Sequence, residues 1–331
     1  MRFSLRTLTT LVAGAALIST AALADNHEDR SDWPSNISVG TASQGGTYYI
    51  YGSGWANLVG EMLGINTSSE VTQGPVQNAA LVHTGDLDFG MVTMGPAFDA
   101  WNGDSDLAPG LQHDQLRAMF PMYETPFSFV ALQRSGIGSV QDIIDSPGLR
   151  IGVGPRGGTP GTYFPRFLND LGANVEVRYG GAGDQASQMQ DGLLDVFAFA
   201  AGIPIAAFSE VEAQANVNIF GFTEEQIAVL TENHPVSPFT IPVGTYRTPE
   251  EDIQTVSMWN FAVANADMPE SLVYGIVKTV MENNDRMMGI HRSAEETLPE
   301  NYIHNNFLAF HPGAVRWFEE NGYEIPDNLR G

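Results

Sequence analysis

The chain has 331 residues, of which 39 are acidic and 15 basic, giving a net charge of −24, and none is cysteine. This excess of negative charge would repel phosphates, which argues against nucleic acid as a partner, and its self-repulsion favours a monomer. A chain without cysteine forms neither disulfides nor a catalytic thiolate, so its stability must come from core burial.

The first 24 residues have the pattern of a secretory signal peptide. Basic residues precede an apolar run from Leu11 to Leu23, and a small-x-small cleavage pattern ends at Ala24. The run is too short to cross a bilayer comfortably. We therefore expect cleavage after Ala24, a flexible leader over residues 25–34, and a periplasmic protein with no membrane insertion.

The first half of the mature chain alternates predicted strands and helices. Apolar runs and helical spacing predict a strand–helix pair three times, over residues 37–41, 47–63, 69–72, 75–82, 89–93 and 96–101. Two more strands are predicted over residues 116–123 and 127–133. The intervening Glu124-Thr125-Pro126 breaks the apolar pattern and is the first expected crossing between lobes.

The second half repeats this alternation. After a short helix over 140–144, strands and helices are predicted in turn over residues 149–153, 160–171, 175–179, 184–192, 196–200, 203–213, 218–222 and 224–232. Residues 239–244 have the pattern of a return crossing. A strand over 255–264 and helices over 270–283 and 312–321 complete the chain. The repeated order is compatible with two α/β lobes.

The tripeptide Gly-Gly-Thr occurs twice, at residues 45–47 and 157–159, each time between a predicted strand and a predicted helix. Glycines let backbone N–H groups face a ligand without an intervening Cβ, and a helix N-terminus attracts negative charge. Two such loops in two parts of one exported chain predict two lobes that close on one small anion.

Ligands of open α/β sheets bind beyond the carboxyl ends of the strands. The loops selected by this rule supply the ligand-binding candidates, which are Gln44, Gly46, Thr47, Tyr48, Gln73 and Thr93 in the first half and Arg156, Gly158, Thr159, Thr162, Ala201 and Gly202 in the second. The two glutamines could each offer an amide to a carboxylate. We also expect one tyrosine hydroxyl of the first loop to reach the ligand.

Arg156 is the cation that the sequence places at the mouth of the cleft. It lies between Pro155 and Gly157, and a guanidinium there could hold a carboxylate bidentately. The alternative is a surface arginine paired with one of the many acids. If Arg156 holds the ligand, Arg156→Ala should weaken carboxylate binding by about 2–5 kcal/mol.

Enzyme interpretations rest on weaker patterns. Residues 152–157 satisfy G-x-G-x-x-G, with Glu176 near the position of a ribose-binding acid, but the first two glycines fall within the predicted strand and Pro160 and Pro165 disturb the expected helix. There is no G-x-S-x-G elbow and no H-x-x-x-H pair. The sequence therefore predicts no catalytic residue and no metal site, and an exported enzyme acting on a small carboxylate stays the alternative function.

Nearly the whole mature chain carries a series of motifs in a characteristic order. They are Gly45-Gly46-Thr47-Tyr48-Tyr49, Gly74-Pro75-Val76-Gln77-Asn78, Thr84-Gly85-Asp86-Leu87-Asp88-Phe89-Gly90, Asp191-Gly192-Leu193-Leu194-Asp195, Ala201-Gly202-Ile203-Pro204, Ile241-Pro242-Val243-Gly244-Thr245-Tyr246 and His311-Pro312-Gly313-Ala314. In this order they resemble the TAXI receptors, the extracytoplasmic solute-binding proteins of tripartite ATP-independent periplasmic (TRAP) transporters. Pro75 and Arg156 depart from the family pattern.

The resemblance implies an α/β, two-lobed, type II periplasmic-binding-protein fold with a hinge between the lobes. It implies a first lobe over residues 35–123 and 241–331 and a second over residues 124–240. It also implies a receptor rather than an enzyme, with no cofactor. Such a receptor would bind glutamate, 2-oxoglutarate or a related carboxylate and deliver it to a TRAP membrane permease.

Overall fold

The computed structural model describes residues 30–331. The predicted signal peptide over residues 1–24 and the first part of the predicted leader, residues 25–29, lie outside the described residues. Within the described part of the chain, no helix is both long enough and apolar enough to cross a membrane.

The first half forms three strand–helix pairs, as the apolar periodicity predicts. They are β1 (Asn36–Gly40), α1 (Thr47–Leu63), β2 (Asn66–Glu70), α2 (Pro75–Thr84), β3 (Phe89–Thr93) and α3 (Met94–Asn102). Helix α1 ends at Gly64, whose left-handed φ of 65° a residue with a Cβ would rarely adopt. Strand β2 begins and ends earlier than predicted because it pairs in parallel with β1, residue for residue.

The next strand corrects the predicted break at residues 124–126. Strand β4 (Leu116–Leu132) runs unbroken through this segment. Opposite it, Ser257, Met258 and Trp259 pair with Pro126, Thr125 and Glu124 and hold the backbone extended. The crossing between lobes is therefore a continuous strand and not a loop.

The remaining elements follow the predicted alternation. They are α4 (Val140–Ile144), β5 (Arg150–Gly152), α5 (Thr159–Asp170), β6 (Glu176–Arg178), α6 (Ala182–Gln190), β7 (Val196–Ala200), α7 (Ala206–Gln214), β8 (Val217–Phe220), α8 (Glu224–Asn233), β9 (Ser237–Ile241), β10 (Ile253–Asn265), α9 (Glu270–Met281), α10 (Asn284–Ile290) and α11 (Pro312–Glu320), with short 3-10 segments at Gln133–Ser135, Arg292–Glu296, Pro299–His304 and Asp327–Leu329. Pro165 lies inside α5 without breaking it, in agreement with the helix predicted over residues 160–171.

Ten strands form one curled sheet in the order β2-β1-β3-β10-β4-β7-β5-β6, with β8 added on β4 and β9 on β10. The parallel strands β1, β2 and β3 lie at one end, and β5, β6 and β7 at the other. The long antiparallel strands β4 and β10 join the two ends. This is the two-lobed, type II periplasmic-binding-protein architecture.

Each lobe has its own hydrophobic core. The first packs β1, α1 and β3 together with α9 and α11 from the C-terminal part of the chain. The second lobe buries apolar side chains on both faces of its sheet, in two clusters. These clusters take in Ile241, Tyr246, Val256 and Met258, which lie beyond the predicted boundary at Thr240. The lobe boundaries themselves stay a prediction.

Candidate functional site

A small cavity lies between the lobes, where the loops after β1, β2, β3, β5 and β7 meet. Its volume is about 30 Å³, roughly the room that two water molecules need. The residues around it are Ala42, Ser43, Gly46, Thr47, Tyr48, Gln73, Gly74, Pro75, Thr93, Thr125, Pro155, Gly158, Thr159, Pro160, Phe199, Ala200 and Ala201. All of them are uncharged, so a charged ligand would be held here without a side-chain counter-ion.

Four helices begin at this cavity. The N-caps of α1, α2, α3 and α5 are Gly46, Gly74, Thr93 and Gly158, and all four line it. None of these four residues caps its helix through a side-chain hydrogen bond. The first N–H groups of a helix have no intrahelical partner, and the helix dipole adds partial positive charge. The arrangement can therefore hold a negative group with backbone alone.

The floor of the cavity is a network of neutral hydroxyl groups around Asn260. The hydroxyl of Tyr48 donates to Asn260 Oδ1 at 2.6 Å, and that of Thr93 donates to the same oxygen at 2.9 Å. Thr159 in turn donates to Thr93 Oγ1 at 2.7 Å. Burial raises the pKa of Tyr48 far above its ordinary value, so this hydroxyl keeps its proton.

Direct hydrogen bonds join the lobes around the cavity. The backbone N–H of Gly183 donates to Gln44 O and that of Ala207 donates to Gly45 O, both at 3.1 Å. On the other side, Val76 N–H donates to Gly157 O at 3.0 Å. The two Gly-Gly-Thr loops are thus each docked on the opposite lobe, which we call the closed arrangement.

The structure brings most of the predicted site residues together at this cavity. Those that line it are Gly46, Thr47, Tyr48, Gln73, Thr93, Gly158, Thr159 and Ala201. They converge because the carboxyl ends of β1, β2, β3, β5 and β7 face the same cleft. Whether they bind a ligand stays a prediction.

Arg156 is not brought to the cavity. It is exposed, and its guanidinium lies 3.9 Å from the centre of the Tyr179 ring on the outer surface. The neighbouring Gly157 is instead turned inward, because its N–H donates to Gln73 Oε1 at 3.2 Å. A cation–π contact with an aromatic face explains this position of the arginine without a ligand.

Three other candidates lie beside the cavity without lining it. Gln44 is exposed and donates to the hydroxyl of Tyr49 at 3.3 Å. Gly202 is buried behind the site, where its carbonyl accepts a hydrogen bond from Thr47 across the cleft. Thr162 is buried one turn into α5, and its hydroxyl has no hydrogen-bond partner within residues 30–331.

Sequence reasoning missed Asn260, Thr125 and Phe199. Asn260 is completely buried in β10, and its Nδ2 donates to Tyr123 O at 2.6 Å and to Thr125 Oγ1 at 2.7 Å. An amide within an apolar strand was the available signal, because such a group must find partners when it is buried. The sequence pattern places Thr125 in a crossing segment and Phe199 in the interior of a strand.

Two carboxyl groups meet where β4 passes between the lobes. Glu296 Oε2 accepts a hydrogen bond from the backbone N–H of Glu124 at 2.7 Å. Burial raises the pKa of Glu296 to about 7 and also raises the pKa of Glu124. Glu295 and Glu124 add like charge that favours the neutral form of Glu296.

A sequence model of the NMT1-like family matches residues 39–322 of this chain. The matched region takes in every lining residue of the cavity. A search of curated proteins by sequence gives no match.

Several solved structures share the fold at low sequence identity. MatC from Rhodopseudomonas palustris with bound malate is similar, with a TM-score of 0.57 and 12% identity over 87% of this chain and 97% of that one. PhnD1 from Prochlorococcus marinus in complex with methylphosphonate has a TM-score of 0.51 and 14% identity over 80% and 92%. An ancestral arginine-binding protein bound to arginine has a TM-score of 0.50 and 14% identity over 78% and 97%.

Proposed function

Because the chain belongs to the NMT1-like family, we propose that it is an extracytoplasmic receptor that binds a small organic acid between its two lobes. The observation that carries this proposal is the uncharged cavity on which four uncapped helix N-termini converge. Such N-termini bind carboxylates through N–H groups that have no intrahelical partner. In α2 these groups are fewer, because Pro75 has no N–H and that of Val76 donates to Gly157 O. An anion would also add a bridge between the lobes and stabilise the closed arrangement.

The composition of the cavity wall supports binding over catalysis. Within residues 30–331, the cavity is lined by no His, Cys, Asp, Glu or Lys, and its one titratable side chain, Tyr48, keeps its proton. General acid–base chemistry needs a group that titrates near the working pH. The described residues also hold no group of three or more His, Cys, Asp or Glu arranged to bind a metal ion.

The finer parts of the proposal concern partner and ligand. The motif resemblance supports a TAXI receptor that delivers its ligand to a TRAP membrane permease. The carboxylates that the resemblance names, glutamate, 2-oxoglutarate and related acids, are the ligand candidates. We further propose that the first lobe comprises residues 35–123 with the C-terminal part, and that the second extends from residue 124 past the predicted end at 240 to about Met258, where its core ends.

The test is titration calorimetry of the mature chain, refolded after unfolding to remove co-purified ligand, with a panel of short carboxylates, amino acids, glutamate and 2-oxoglutarate. We expect at least one carboxylate to bind at one site per chain and to raise the melting temperature. Product analysis of the same mixtures should show the ligand unchanged. Turnover would support the enzyme alternative, and a panel without any binding acid would contradict the receptor proposal.

A further inference from the structure

A cluster of polar and charged side chains joins the two lobes outside the cavity. Arg166 and Tyr163 belong to α5 of the second lobe, whereas Asp99 in α3 and Asp106 in the loop after it belong to the first. The Arg166 guanidinium donates to Asp99 Oδ2 at 3.0 Å and to Asp106 Oδ2 at 3.4 Å. The Tyr163 hydroxyl donates to the same Asp99 oxygen at 3.4 Å. We call these four residues the interlobe cluster.

The interlobe cluster lies on two of the helices that begin at the cavity. The N-caps of α3 and α5, Thr93 and Gly158, are part of the cavity wall. Arg166 lies about 12 Å further along α5, at 1.5 Å per residue. The two helices can approach closely because Gly95 of α3 has no side chain, and a Cβ there would lie 2.6 Å from Tyr163 Oη. Because α3 and α5 belong to different lobes, a hinge motion that opens the cleft would pull Arg166 away from both carboxylates.

Arg166 offsets negative charge that closure of the lobes removes from water. The Asp99 side chain is only 20% exposed beneath its neighbours from α5. Burial raises the pKa of Asp99, although the Arg166 guanidinium and the Tyr163 hydroxyl beside it act to lower that pKa. Removing Arg166 would therefore leave a buried carboxylate without a countercharge, which costs more free energy than removing both partners of the pair.

A second ion pair resembles this one in exposure but does not join the lobes. Arg150 Nη2 lies 2.8 Å from Asp195 Oδ1, and both residues belong to the second lobe. The side chains of Arg150 and Arg166 are 36% and 35% exposed. Substitution of Arg150 therefore removes a similar ion pair without affecting contacts that depend on closure.

We infer that Arg166 is a positioning residue for ligand binding, which acts from outside the cavity by neutralising Asp99 and Asp106 as the lobes close. The inference rests on the proposed function, because a ligand held between the lobes is bound tightly only when they are closed. The apparent affinity of such a ligand falls with the population of the closed form. Binding of any acid in the cleft should therefore depend on Arg166, whichever acid it is.

The experiment is titration calorimetry of the full mature chain with glutamate and with 2-oxoglutarate. Arg166→Met should raise the dissociation constant at least about tenfold, because it leaves Asp99 without a countercharge. Adding Asp99→Asn to this variant should return the dissociation constant to within about threefold of the wild type, a rescue that a merely structural role would not give. The control Arg150→Met should leave it unchanged. If Arg166→Met does not fold, Arg166→Gln replaces it.

An unchanged dissociation constant in the Arg166 variant, or a loss that Asp99→Asn does not reverse, would overturn the inference and leave the receptor proposal intact. If neither acid binds to the wild type, these ligand candidates fail, and small-angle X-ray scattering of the ligand-free chain decides the inference. The radius of gyration should then be larger for Arg166→Met than for the wild type and for Arg150→Met, and equal radii would overturn the inference.

Discussion

The two Gly-Gly-Thr loops have the same sequence and nearly the same helix cap, but their glycines are required for different reasons. Gly46 and Gly158 both cap a helix in an extended conformation, with φ of −94° and −103°. The glycine before each cap differs. Gly45 has a φ of +88°, whereas Gly157 has no left-handed φ and needs space, because a Cβ there would lie 2.7 Å from Gln73 Cβ.

The threonines, by contrast, act alike. Thr47 donates its proton to Gly202 O in the second lobe, and Thr159 donates its proton to Thr93 in the first. Each loop thus begins a helix in its own lobe and makes a hydrogen bond to the other. One tripeptide in two places begins a helix at the cavity and makes contacts that depend on closure.

Gly45→Ala is expected to have the largest effect. A residue with a Cβ at this φ costs about 1–2 kcal/mol, and the new Cβ would lie 2.9 Å from Gly183 N on the other lobe. We expect a lower melting temperature and at least a thirtyfold loss of affinity for the best carboxylate. Calorimetry and thermal unfolding measure both effects, and wild-type values in both would show that this loop does not close on the second lobe.

Gly157→Ala should weaken binding with little effect on the fold. Its backbone conformation suits alanine, but the Cβ would contact Gln73 only when the lobes are closed. Overpacking of this kind costs about 1–3 kcal/mol, so we expect the dissociation constant to rise about tenfold and the ligand-free melting temperature to stay within a few degrees. The matched control is Gly289→Ala, where a Cβ would meet nothing within 4 Å. Loss of affinity in both variants alike would contradict this explanation.

Glu296 makes the stability of the fold depend on pH. Its carboxyl group accepts a hydrogen bond from the backbone of β4 at Glu124. Its pKa is raised from 4.5 to about 7, so the folded state binds the proton more tightly than the unfolded chain. This contribution to stability is fully present below about pH 4.5 and is lost as the pH rises through about 7. Between these two pH values, we expect Glu296→Gln to reduce the change in the free energy of unfolding by about 1–3 kcal/mol. Urea unfolding at about pH 4.5 and pH 7 measures this change, with the exposed Glu300→Gln as control. An unchanged pH dependence in Glu296→Gln would contradict the assignment.

Arg156→Ala should have the smallest effect. Its guanidinium lies on Tyr179 and not in the cavity, so we expect a loss of carboxylate affinity below about 0.5 kcal/mol, comparable to other exposed charges. Arg178→Ala, an exposed arginine paired with Glu176, is the matched control. A loss of 2–5 kcal/mol for Arg156→Ala alone would restore the sequence prediction and show that the guanidinium turns inward when the ligand binds.

The sequence alone predicted the alternating strands and helices and the loops that line the cleft. The hydrophobic periodicity and the positions of glycines are local properties of the chain, so they can be recognised in the sequence. It also placed Gly46, Thr47, Gly158 and Thr159 in facing loops, because parallel strands present their carboxyl ends to one edge.

Long-range pairing decided the rest. Residues 124–126 are extended because β10 pairs with them, although their own sequence predicts a break. Asn260 becomes central because Tyr123, 137 residues away along the chain, accepts from its amide and leaves its Oδ1 to the lining residues Tyr48 and Thr93. Arg156 turns outward because Tyr179 offers it an aromatic face. Local sequence sets where a loop turns, whereas the direction of its side chains depends on partners that only the folded chain brings near.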